Sequence, residues 1–116
     1  MKTIEKTKTE KIDLESLGQR EFDVEQTMKL LYAQREKVWS WGIHDLTRHK
    51  EEWLRFMVNG HHHEGHVYIR LGWNDLYDVF LTTSKGTIVK EMKEIYFDEL
   101  CNRIDLEVEY VESYKY

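Results

Sequence analysis

Within the six residues from His61 to His66 the chain sets four imidazoles, His61, His62, His63 and His66, beside the carboxylate of Glu64. Imidazole is the commonest protein ligand for zinc, nickel and copper. In an extended loop His61 and His63 project to one side and His62 to the other, and His66 joins from the following strand. His61, His63 and His66 are therefore the candidate metal ligands, with zinc or nickel as the ion. They fall short of the four ligands of a structural zinc site, and a catalytic one needs three ligands, an open position and outer hydrogen bonds that orient the rings. His44 and His49 complete such a set only if their connection folds over this turn. The competing explanation is a solvated hairpin tip, in which Gly60 and Gly65 supply unusual dihedrals and the polar side chains stay in water. No cysteine pair accompanies the cluster, so on this reading no cofactor is expected.

Other reactive groups are sparse. Cys101 is the single cysteine and falls at an apolar position of a helical pattern, where a small buried thiol is the ordinary outcome. Asp75 and Asp78 could divide general acid and base roles, but Asn74-Asp75 reads as turn chemistry and Asp78 lies on the polar face of a strand. No glycine-rich phosphate loop, dinucleotide fingerprint or nucleophile elbow occurs, and no catalytic residue is assigned.

The elements that must carry these residues follow from periodicity. From Trp53 to Thr83, period-two alternation puts Leu54, Phe56 and Val58, then Val67, Ile69 and Leu71, then Tyr77, Val79 and Leu81 on one face of a meander. Asp23 is an N-cap with Gln26 as its partner three residues on, which predicts a helix from about Val24 to Lys37. Val38 to Ile43 reads as a first strand, with Trp39, Trp41 and Ile43 on one side and Gly42 at a bulge. Asp45 to Glu52 reads as a polar connection, although Leu46, Trp53, Leu54 and Met57 also suit a helical face. Ser84 to Gly86 is a turn before a strand that reaches about Met92. Phe97, Leu100, Cys101, Ile104, Val108 and Val111 follow helical spacing, with a strand from Leu106 as the alternative. The expected class is α+β: an N-terminal helix, an antiparallel meander of four to five strands and a C-terminal amphipathic helix.

At 116 residues the chain suits one core, with residues 1–20 a flexible polar tail and 21–116 a single α+β domain. Ile12, Leu14 and Leu17, ahead of Gly18, could form a short extended or helical piece packing on the core. No apolar run approaches the ~18 residues of a membrane span, and the lone cysteine gives no sign of an oxidising compartment, so a soluble, cytoplasmic protein is expected. From Glu91 onward eight acids face three bases, which holds the whole net charge of −5. That charge argues against a nucleic-acid ligand. Four tryptophans are many for this length; Trp73 in a turn and Tyr114 and Tyr116 in the tail are the aromatics hardest to bury, hence candidates for a protein partner or a homodimer contact.

The runs Gly65-His66-Val67-Tyr68-Ile69, Asn74-Asp75-Leu76-Tyr77-Asp78-Val79 and Ile95-Tyr96-Phe97-Asp98-Glu99-Leu100 resemble small uncharacterised proteins of bacteria and their mobile elements, over about the last two thirds of the chain. The resemblance implies a helix, meander and helix unit and carries over no catalytic residue. The functional expectation is a non-enzymatic interaction or accessory module. Its rivals are a metal-binding protein using the histidine tip and an acidic mimic of nucleic acid. Untagged protein prepared without a metal column is expected to hold no stoichiometric zinc or nickel by elemental analysis. About one ion per chain, lost when His61, His63 and His66 become alanine, would instead make the tip a metal site.

Overall fold

The alternating segments pair into one five-stranded antiparallel sheet in the order β1-β2-β3-β4-β5 in the computed structural model, which describes residues 11–60 and 62–109. The strands are β1 (His44–His49), β2 (Trp53–Asn59), β3 (Glu64–Leu71), β4 (Tyr77–Thr82) and β5 (Ile88–Ile95). Leu54 faces Ile69, which faces Val79; Phe56 faces Val67, which faces Leu81. Equal register keeps these side chains on one face, where all are buried. Three helices cover that face: α2 (Val24–Tyr32), α3 (Arg35–Ser40) and α4 (Leu100–Val108). They and their caps add Val24, Leu31, Val38, Trp41, Leu100, Ile104 and Val108 to the same core. The fold is α+β, and no helix among the described residues is long and apolar enough to cross a membrane.

Asp23 caps α2 as its spacing predicts, its carboxylate accepting the Gln26 N–H at 3.0 Å. The helix expected through Lys37 is interrupted, however, because Gln34 leaves the helical region (φ −117°, ψ 57°) and a second helix starts at Arg35. The break lets Leu31 before it and Val38 and Trp41 after it all reach the core. Val38 to Ile43 is accordingly not a strand. Val38 to Ser40 complete α3, and Gly42 takes the positive φ of 67° that commonly ends a helix. A strand would have turned both tryptophans to one face. The helix end separates them instead, leaving Trp41 at 0% exposure and Trp39 at 71%. The Trp41 indole N–H donates to Asp105 at 2.8 Å and its ring stacks 6.5 Å from Phe56, tying the end of α3 to α4 and the sheet.

The polar connection expected from Asp45 to Glu52 is largely β1. Lys50 and Glu51 both adopt positive φ (51° and 58°), and Glu52 N–H closes the turn on the His49 carbonyl at 2.8 Å. β1 is an edge strand, mostly exposed and bulged between His44 and Thr47, so it carries no apolar alternation to read. At the other end Phe97 opens a 3-10 turn, Phe97–Glu99, and is exposed rather than part of the buried stripe. Leu100, Cys101, Ile104 and Val108 are buried as their spacing predicts. The helix runs through Val108, which rules out the alternative strand for residues 106–108, and Val111 lies outside the described residues.

The sheet's second face is covered as well. Ile12 and Leu17 pack with Trp53, Tyr68 and Phe80. The short piece anticipated here is α1 (Leu14–Leu17), capped by Asp13, and Ile12 N–H donates to the Gly86 carbonyl at 2.9 Å. Residues 1–10 of the expected tail lie outside the described residues. Truncating a fully buried tryptophan costs about 3–5 kcal/mol, whereas an exposed substitution stays within about 0.5 kcal/mol. Urea unfolding should therefore show Trp41→Ala strongly destabilised and Trp39→Ala close to wild type. Equal losses would contradict the helical end at Gly42.

Candidate functional site

The histidine cluster occupies the connection from β2 to β3. Gly60 N–H donates to the His63 carbonyl at 3.0 Å, and His62 N–H donates to the Val108 carbonyl at 2.7 Å, docking the tip on the end of α4. A Cβ on Gly60 would meet the Val108 carbonyl oxygen at 2.5 Å, and one on Gly65 would meet that of Thr82 at 2.3 Å. Both glycines are thus required by close backbone approach. The tip is consequently not a uniformly solvated loop: His62 is exposed, but His63 is buried with Nε2 3.2 Å from the His66 carbonyl. His66 lies on β3 beside Tyr68, and His61 is outside the described residues. His44 Nδ1 lies 2.9 Å from the Gly42 carbonyl and His49 stacks on Trp53. Among the described residues no group of three or more His, Cys, Asp or Glu side chains stands where it could hold a metal.

Nor do the other reactive groups converge. Burial, reinforced by the Asp105 carboxylate, pushes the Cys101 thiol up to about 11, which keeps it protonated at neutral pH. Asp75 sits in the β3–β4 turn with φ 66° and pairs with Arg20, whereas Asp78 is buried against Arg70 at 2.9 Å. The C-terminal acids divide between engaged and exposed side chains, with Glu94, Asp98 and Glu99 exposed. Asp105 is buried on Trp41, Glu107 pairs with Lys90 at 3.1 Å, and Glu112 falls outside the described residues.

One sheet end does gather exposed aromatics. Leu71 faces Tyr77 and Tyr77 faces Ile95, so the β3–β4 turn and the exit of β5 lie at the same end. Trp73 in that turn is 74% exposed; Tyr96 and Phe97, immediately after β5, are 59% and 61% exposed. The turn is held from three sides. Trp73 N–H donates to the Gln19 side chain, Leu76 N–H to the Asn74 side chain, and Arg20 pairs with Asp75. Trp73 was marked by its place in a turn, whereas Tyr96 and Phe97 were hidden because Phe97 fits the helical stripe it precedes. Tyr114 and Tyr116 lie outside the described residues. No family model matches this chain, and no curated protein or solved structure matches it either.

Burial holds both His63 and His66 below the ordinary 6.5, and the Arg55 charge pushes His66 down further. The unfolded chain therefore binds protons more readily than the folded one on the acid side of 6.5. Stability from these rings is complete above that value and is lost as pH falls through the depressed folded values. Urea midpoints should drop between about pH 7.5 and 5.5, and His63→Gln should shallow that slope. A midpoint that rises toward acid would be incompatible with neutral, buried rings.

Proposed function

We propose that the chain is a non-enzymatic interaction module that holds a partner protein at the aromatic end of its sheet. The observation that carries this reading is the exposure of Trp73, Tyr96 and Phe97 at one end of the sheet. Large aromatics bury much area at little rotamer cost, and a folded chain gains nothing by leaving several in water. Asp75, Glu94, Asp98 and Glu99 are exposed at the same end. Two bases near that end are already engaged, Arg20 with Asp75 and Lys93 with Glu91. A fitting partner presents an apolar centre with a basic rim. A second copy of this chain would bring like charges together, which favours a different protein over a homodimer. The setting implied by the resemblance is a cytoplasmic accessory role in a bacterial mobile element.

Affinity capture compared between wild type and a Trp73→Ala/Phe97→Ser double variant tests the surface. The variant should keep its circular dichroism spectrum and lose a protein that wild type retains, with retention also weakening as salt is raised. Identical captured sets would remove the aromatic end as the binding face. Light scattering on the same pair reads self-association: a dimer lost in the variant would make the partner a second copy.

A further inference from the structure

The second face of the sheet carries two inward arginines with opposite fates. Arg70 is neutralised by Asp78, donates to the Leu17 carbonyl at 2.9 Å and lies over Phe80. Arg55 has no carboxylate among the described residues. It reaches the Thr47 hydroxyl at 3.3 Å and lies 6.0 Å from the Tyr68 ring, while its Nε is buried without a hydrogen-bond partner among the described residues. A buried guanidinium donor left unmatched is costly, and the cost falls on the folded state unless something fills the position.

The space beside Arg55 is a pocket of about 250 Å³ lined by Lys11, Arg55, His66, Tyr68, Ser84 and Lys85, and by no acidic residue among those described. Lys11 Nζ donates to the Lys85 carbonyl at 3.5 Å. His66 supplies a second unmatched atom. Its Nδ1 is buried without a hydrogen-bond partner among the described residues. Asp45, in the β1 bulge, is the acid whose charge acts on His66, and it does not line the pocket.

We propose that this pocket binds a phosphate group, with Arg55 and the two lysines neutralising it and His66 Nδ1 sharing a proton with one of its oxygens. Three cations from separate elements, β2, the segment before α1 and the β4–β5 turn, converge on one cavity, and a tetrahedral oxyanion is the chemistry that satisfies a forked donor and ammonium groups together. The lining also includes Ile12, Leu14 and the Tyr68 ring, so the site has room and apolar surface for a small organic body attached to the phosphate. It lies on the opposite face of the sheet from the main core and does not depend on the aromatic end.

The test is a titration of the full chain with inorganic phosphate and, separately, phenyl phosphate, followed by amide shifts of Ser84, Lys85 and Gly86 and by the His66 ring nitrogens. Saturable shifts confined to this pocket are expected, weakened by roughly tenfold or more in Arg55→Met. That substitution removes a buried charge rather than creating one, and Lys11→Ala/Lys85→Ala, at exposed positions, provides a second variant with the same expected direction. Tighter binding of phenyl phosphate identifies a phosphomonoester as the ligand; equal binding identifies the free ion. Absence of saturable shifts with either probe, or saturation unchanged in both variants, overturns the proposal.

Discussion

The ion pair between Arg70 and Asp78 connects more of this molecule than any apolar contact on the same face. Both side chains are largely withdrawn from water, so their attraction is little screened, but their desolvation must be offset by further hydrogen bonds. Those bonds reach in three directions. Arg70 takes the Leu17 carbonyl at the end of α1, and the Phe80 ring lies beneath its guanidinium. The second Asp78 oxygen accepts the Glu94 N–H, where β5 bends through a φ of 60°. The neighbouring strands β3 and β4, the irregular edge at β5 and the docked N-terminal helix are thus fixed by one pair of charges.

That arrangement explains how a sheet of alternating strands has two covered faces. The apolar face is covered by helices α2, α3 and α4, as expected for α+β architecture. The other face carries Trp53, Arg55, His66, Tyr68, Arg70, Asp78 and Phe80, too polar for a second ordinary core. A short helix and a few preceding residues suffice there because the aromatics pack together and Arg70 brings its own counter-ion. Arg55 has no such counter-ion among the described residues, and the difference between two chemically identical side chains on adjacent strands is what distinguishes the pocket from the rest of the face.

The meander was legible because β2, β3 and β4 bury one complete face, so each strand declares its alternation. The α2 cap and the α4 stripe were legible for the same reason: the physics is local and repeated. Two of the misread segments lack that redundancy. Trp39 and Trp41 are two apart, which imitates a strand, and Gly42 serves equally as a bulge or a helix stop; only the partner Asp105, 64 positions away, separates the readings. β1 was hidden because Lys50 and Glu51 adopt a left-handed turn without the Asn or Gly that normally announces it. At the histidine tip the residue types were visible but their environments were not. Burial of His63 depends on the close approach of Gly65 to Thr82 and on the docking of the tip against α4. Arg55, Lys11 and Lys85 left no sequence signal, since each reads as an ordinary polar residue until the sheet and the N-terminal segment bring them together.

Because every strand pairs with the next in sequence, the sheet assembles from neighbouring hairpins with small loop-closure costs. The roof over its apolar face does not. α4 follows the whole meander in sequence, and its anchor to Trp41 joins residues on opposite sides of it. During synthesis the strands emerge and can pair while the surface formed by Phe56, Val67 and Leu81 lacks its last cover. The order of translation therefore opens an interval in which a nearly complete sheet shows its greasiest side to the cell, and its length is set by the time needed to deliver the final helix.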